Sequence, residues 1–352
     1  EKTISDKNAT IKQVSSNLSG KEVVLQAQNE MNIIGSNVVA DDVILKANDI
    51  NLLSATQSAS NEHLESTKKI GIEVTLNTKE ASIFAGGITN KDEINKGNTT
   101  QLASNILGDN VTLISKDSTN VLASNILANN DLIITSGKNI NILSGEATDY
   151  KDEIHTYLKA GVSLGVKQNV TDGVKNIVNS TENIAKSDNA ANAGFGALKL
   201  VDTISNTLSN PVSVGLNAVA ITNKSTSSST NQGVESSNIY AGNNAIFDAE
   251  DVNIKGSNVY VKNEFDIYAK NLNIEAAKEI SNSKTTDKNM DLSVGLYGTN
   301  AGKVDVSVSQ AKQTSQSINY VNSNVQAGSL NLNVSNDVKI EGANIKAKDV
   351  LA

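Results

Sequence analysis

Apolar residues along much of this chain keep neither a helical period nor a simple alternation. Over Ser36–Ala55 they fall in three short runs, Val38-Val39, Val43–Leu45 and Ile50–Leu53, parted by Ala-Asp-Asp and Lys-Ala-Asn-Asp. Three short strands with polar corners predict one turn of a coil. Such a coil cannot bury its own apolar face and needs a like coil above and below. The sequence contains those neighbours. Ser-Asn followed by Ile, Val or Leu recurs at Ser16, Ser36, Ser104, Ser124, Ser237, Ser257 and Ser323, and Ala343-Asn344-Ile345 is a degenerate eighth copy. The copies come in pairs 20 residues apart: 16 and 36, 104 and 124, 237 and 257, 323 and 343. A fixed period of this kind predicts an all-β parallel β-helix with branched side chains such as Leu45 and Ile133 in its bore. Asn17, Asn37, Asn105, Asn125, Asn238, Asn258, Asn324 and Asn344 then stack at one corner. Two readings of them stand: an amide ladder along the axis, or asparagine chosen because it tolerates the corner's backbone angles.

Between the pairs the period breaks and the pattern changes to strict alternation. Ile70, Ile72, Val74 and Leu76 alternate with polar or glycine positions, as do Met290, Leu292, Val294 and Leu296, and then Val304, Val306 and Val308. These runs predict strands with one apolar and one wet face, joined as antiparallel hairpins that stand off the helix. Their flanks, such as SATQSASNEHLESTKK, are polar and of low complexity, and read equally as extended strands or loose linkers. The middle insertion has the same strands at its ends, with Val162 and Leu164 going out and Val214 and Leu216 returning. Between them Val174, Ile177, Val178 and Ile184, then Phe195, Leu198, Val201, Ile204 and Leu208, follow a helical period that stops before Pro211. The predicted organisation is coils over 1–55, 104–145, 237–276 and 323–352; β-hairpin insertions over 56–103 and 277–322; and a strand–helix–helix–strand insertion over 146–236.

Composition narrows the function classes. The chain has 352 residues, a formal net charge of −8, 3% aromatic residues, no Trp and no Cys. Every cation is Lys, so an acidic chain without Arg lacks the electrostatic footprint for nucleic acid. Thiolate metal sites, disulfides and thiol catalysis are excluded together. His63 and His155, the only histidines, lie in polar stretches without a catalytic or metal-binding motif, and read as surface residues. Acid clusters such as Asp41-Asp42 and Asp248-Glu250-Asp251 lack the calcium-roll glycine signature. The expectation is a non-enzyme with no cofactor, no metal and no small-molecule substrate. A polysaccharide-cleaving β-helix, the enzymatic option, needs a groove of carboxylates with basic or aromatic residues, which a chain without Arg and Trp supplies poorly. The chain opens at Glu1 without a signal peptide and stops within a coil at Asp349–Ala352, which predicts a piece of a much longer protein.

Coils reading Ser-Asn-hydrophobic-x-Ala-x-Asp/Asn-Val-x-Leu-x-Ala, broken by Gly/Ser-rich alternating strands, resemble the second haemagglutinin-repeat region of filamentous haemagglutinin-type exoproteins. That family includes contact-dependent growth-inhibition effectors of Gram-negative bacteria. The resemblance covers most of the chain, the coils by motif and the insertions by style. It implies a right-handed β-helix, secretion through a partner outer-membrane barrel, and a place at the bacterial cell surface. It further implies either toxin delivery by engaging a neighbouring cell's outer membrane, or a shaft that spaces an adhesin's tip toward a host surface. The residues set apart for membrane or partner contact are Ile72, Val74, Val162, Leu164, Phe195, Leu198, Val214, Leu216, Val294 and Leu296. A spanning β-strand needs only about 9–11 alternating residues. The competing account is that these faces pack on the solenoid flank or on each other.

Overall fold

A computed structural model describes residues 1–76, 80–167, 213–297 and 300–352, and every regular element among them is a strand. The expected helical hairpin at 171–209 lies outside the described residues. The shaft is a parallel β-helix with three walls. The first wall is an eight-stranded parallel sheet running from Asn17–Ser19 to Ala343–Lys346. The other two belong to one 13-stranded sheet, which bends from the second wall into the third within Glu264–Glu275 and Ser329–Glu341. One complete coil is Asn37–Val39, Asp42–Ala47 and Asp49–Leu53.

Period-2 side chains fill the bore. Asp42–Ala47 alternates exposed and buried positions, and the pattern repeats in Asn110–Ser115. Stacked coils align like with like: Val23, Val43, Val111, Leu132, Ala245, Phe265 and Leu330 form one column. Phe247 and Phe265, both fully buried, meet edge to face at 4.9 Å, a favoured aromatic geometry. Leu45 is fully buried as expected, but Ile133 is 37% exposed. Its neighbours Leu132 and Ile134 take the two inward positions of a Leu-Ile-Ile run, and alternation leaves the middle residue facing out.

Two corner devices hold successive coils. Where one coil runs directly into the next, the chain turns through a left-handed residue: Gly35 (φ 53), Ala123 (φ 44), Gly256 (φ 57) and Gly342 (φ 64). At the first three of these corners the serine hydroxyl that opens the next coil donates to the carbonyl two residues back, Ser36 to Ile34 at 2.8 Å, Ser124 to Leu122 at 2.9 Å and Ser257 to Lys255 at 2.9 Å; after Gly342 the opening residue is Ala343. After an insertion that nearby carbonyl has been carried away. The hydroxyls of Ser104, Ser237 and Ser323 instead donate to Leu53, Leu143 and Glu275, the last coil residues before each insertion, at 2.6–2.7 Å. These serines are fully buried, and each closes the gap its insertion makes.

The insertions do not stand as separate hairpins. They join edge to edge into one seven-stranded antiparallel sheet, here called the fin. Its strands in order are Lys2–Ile11, Ala55–Leu76, Glu80–Leu102, Gly145–Lys167, Ser213–Glu235, Ala277–Tyr297 and Asn300–Val321. The polar flanks are therefore strand throughout. The chain enters the first coil from the first fin strand, leaves the second coil by the second, and so on, giving one fin strand to each of the first seven coils. The spacing of hydrogen-bonded strands, about 4.8 Å, is common to parallel and antiparallel sheets. Fin and shaft therefore advance together, and one hairpin fits every two coils without accumulated mismatch.

Candidate functional site

The eight asparagines that open the coils lie in direct backbone register. Each Nδ2–H donates to the Oδ1 of the preceding coil, from Asn37 to Asn17 at 2.6 Å through to Asn344 to Asn324 at 2.9 Å. A second amide column on the third wall has the same polarity. It runs through Asn32, Asn51, Asn120, Asn141, Asn253 and Asn273 at 2.8–2.9 Å. Sequence reasoning missed this column. Its signal is an asparagine followed by Ile, Leu or Val near the end of each of the first six coils, but the offset from Ser-Asn drifts from coil to coil.

The fin carries the most unusual surface. Antiparallel register places residues of different hairpins in lateral rows, and alternate rows share a face. About 50 Å from the shaft at 3.3–3.4 Å per residue, one row reads Ile70, Gly87, Ala160, Ala220, Leu292 and Val306. The next row on that face reads Ile72, Ala85, Val162, Ala218, Val294 and Val304. Val74 and Ile83 begin a third row, which the backbone register continues through Leu164, Leu216 and Leu296. Val214 follows in the backbone beside Val166, and Phe195 and Leu198 lie outside the described residues. The face is open to solvent at its outer strands, where Ile70 is 62%, Val304 61% and Val306 63% exposed, whereas Ile83 and Ala85 on the third strand are buried.

The opposite face is mostly glycine, polar and charged positions, with Phe84, Ile88, Val219 and Ile221 among them. There the Phe84 ring lies across the paired Gly86 and Gly161, where any Cβ would fall within 2.7 Å of a ring carbon. The Lys159 ammonium sits 4.2 Å from the centre of that ring, a cation–π contact. Nearer the shaft, on the face that carries the apolar rows, Tyr150 covers Gly97. Each histidine of the fin pairs with an aspartate on the adjacent strand, His63 Nδ1 with Asp6 at 2.5 Å and His155 Nδ1 with Asp92 at 2.7 Å. Among the described residues no cluster of His, Asp or Glu could hold a metal ion. On the shaft, Lys339 bridges Glu275 and Glu341 at 2.6 and 3.0 Å. Its hydrogen bond holds the Glu275 carboxyl below the ordinary carboxylate range, and the same partners raise the Lys339 ammonium.

The hemagglutinin repeat family matches residues 1–93, 85–194 and 219–352. Among curated proteins, the chain is 26% identical over 259 residues to the tRNA nuclease CdiA of Escherichia coli O6:K15:H31, covering 69% of this chain and 8% of that protein. It is 24% identical over 194 residues to the 16S rRNA endonuclease CdiA of Enterobacter cloacae, covering 53% of this chain and 6% of that protein. The chain thus spans under a tenth of the relatives it matches. No solved structure matches it. With a shaft of tandem coils and family matches over most of its length, the chain belongs to the hemagglutinin repeat family, as a repeat segment of a secreted, cell-surface exoprotein of Gram-negative bacteria.

Proposed function

We infer that this segment is non-enzymatic and serves toxin delivery to a neighbouring cell, with the fin as the part that engages that cell's outer membrane. One observation carries the reading: a continuous apolar face shared by six strands and held about 50 Å from the shaft at 3.3–3.4 Å per residue. A spacer has no use for such a face, whereas a lipid-facing strand needs apolar residues on one side and tolerates Gly and Ser on the other. The relatives' names add support, since both belong to CdiA nucleases, which act on RNA and must reach it. The cost lies at the fin's edges. Each backbone group left unpaired in lipid costs several kcal/mol, and seven strands fall short of the smallest closed barrels, which have about eight. Membrane entry therefore requires further hairpins of the parent chain or strands from elsewhere, and a partner barrel for its own secretion. The other reading is the shaft of a filamentous haemagglutinin-like adhesin, favoured by the coil array itself.

The test uses the full-length parent protein. Val294→Ser, Val304→Ser and Val306→Ser together should abolish inhibition of target cells while surface display and cell–cell adhesion persist. Inhibition at the parental level would remove the fin's role and leave the adhesin shaft.

A further inference from the structure

Charges on the fifth, sixth and seventh fin strands are sorted by face. Register puts Lys224, Lys278, Lys284, Lys288 and Lys312 on the face of the apolar rows, and no Asp or Glu of these three strands lies there. Glu235, Glu279, Asp287, Asp291 and Asp305 all lie on the opposite face, where Lys303 pairs with Asp305 at 3.0 Å. A strand alternates its side chains between faces, so Asp287 is held away from Lys288 and Glu279 from Lys278. Among the described residues none of the lysines on the apolar face, all of them exposed, has an ion-pair partner. Lys224 and Lys288 are direct register partners. Like charges opposed on one face destabilise a sheet, so a chain of net charge −8 bears a cost at this pair with no return inside the molecule.

We propose that this face of the last three fin strands binds an anionic lipid surface, its apolar rows against the acyl boundary and its lysines on the phosphates. The proposal rests on the membrane reading above and adds the class of lipid. Beyond the lysine pair, away from the shaft, the same face carries Met290 and Val308, then Val306, then Val294 and Val304, all exposed. Successive rows on one face are about 7 Å apart, so Lys224 and Lys288 border the exposed apolar area directly. Lysines flanking an apolar surface are what anionic headgroups attract, and a phosphate between Lys224 and Lys288 offsets their repulsion. The acidic opposite face is repelled by the same lipids, which fixes the face that docks. A nucleic acid would match the lysines but leave Met290 and the valines in water, so lipid is the occupant that fits both halves. Contact of this kind reaches only about 5–10 Å into the boundary. It therefore leaves the free edge of the seventh strand hydrated, whereas spanning would strand its backbone groups in hydrocarbon.

Flotation of the 352-residue chain with vesicles of phosphatidylcholine, alone or mixed with phosphatidylglycerol, tests this. The anionic vesicles should be bound at least tenfold more tightly, by a margin that narrows as salt is raised. Lys224→Gln, Lys288→Gln and Lys312→Gln together should lose at least tenfold on the anionic vesicles, at about fivefold per lysine. Weak binding to the neutral vesicles and the circular dichroism spectrum should stay as in the parent. Lys303→Gln, on the other face, should change nothing. Equal binding to both vesicles, or a triple variant that binds as the parent does, would overturn the proposal and leave the apolar contact with the membrane standing. No binding to either vesicle would overturn the proposal and remove the fin's hold on lipid altogether. A DNA duplex bound as tightly as the anionic vesicles would assign the lysines to polyanions in general and overturn it as well.

Discussion

Replacing Gly145 by alanine puts a methyl group 2.8 Å from the Cβ of Ala123, where carbon atoms prefer about 3.5–4.0 Å. Gly145 opens the fourth fin strand, and Ala123 is the left-handed residue that turns the third coil into the fourth. The equivalent contacts at the other insertions have the opposite arrangement. Gly35 turns the corner and faces Ala55, and Gly256 faces Ala277. One methyl group fits between corner and fin, and either residue can supply it. Adding a second should destabilise by about 1–3 kcal/mol, the usual cost of overpacking. Ala123→Gly alone relieves a left-handed conformation costing about 1–2 kcal/mol for a non-glycine residue, offset by glycine's greater loss of freedom, about 0.5–1 kcal/mol. It should be neutral to mildly stabilising. The double variant recreates the Gly35–Ala55 arrangement and should return to the parental level, a coupling of about 1–3 kcal/mol. Urea unfolding of the four chains reads this from the midpoints, provided the slopes agree. A Gly145→Ala variant as stable as the parent, or a double variant no more stable than Gly145→Ala alone, would show that the corner and the fin are not in contact.

Leu45→Ala should cost about 2–5 kcal/mol as a fully buried truncation, and Ile133→Ala, on the outer surface, much less; equal costs by urea unfolding would contradict the wall assignment. Asn125→Ala removes two ladder bonds, at 2.8 and 2.9 Å, worth about 0.5–1.5 kcal/mol each; no change in the urea midpoint would mean that the column only marks a tolerated corner. For Glu275 the lowered carboxyl pKa means that its pairing with Lys339 contributes at neutral pH and is lost as pH falls through that lowered value. The raised ammonium means a second loss as pH rises through the Lys339 pKa. The stability difference between parent and Lys339→Met should thus be small at neutral pH, shrink with salt, and vanish in acid; a difference constant across pH would exclude the pair.

Much of the shaft was legible because a repeat writes its geometry into the sequence. A 20-residue Ser-Asn period marks each coil, and breaks in it mark where the chain leaves. Ile133 was misplaced because three consecutive apolar residues do not say which one faces out. The fin was only half legible. Alternation identifies Met290–Leu296 as a strand, but period-2 pattern carries no information about which strand lies beside it. The Ser-, Thr- and Asn-rich bases of the fin have no apolar face at all and look like linkers. Their partners are set by the coil spacing beneath them, a constraint that exists only once the shaft has formed. The rows from Ile70 to Val306 and from Ile72 to Val304 follow from that pairing, so the candidate face cannot be seen in any one hairpin.

The claim that three hairpins form one sheet can be tested by cross-linking across a boundary between insertions. Ser227 and Thr285 are register partners on the fifth and sixth fin strands, and the chain has no cysteine of its own. Directly opposed positions bring Cβ atoms to about 4.5–5.5 Å, within a small adjustment of disulfide geometry. Ser227→Cys with Thr285→Cys should oxidise to an intramolecular disulfide in the folded chain. Ser227→Cys with Lys288→Cys, three residues out of register and on the other face, should not. Failure of the first pair, or equal oxidation of both, would mean that the hairpins stand apart and that the continuous apolar face does not exist.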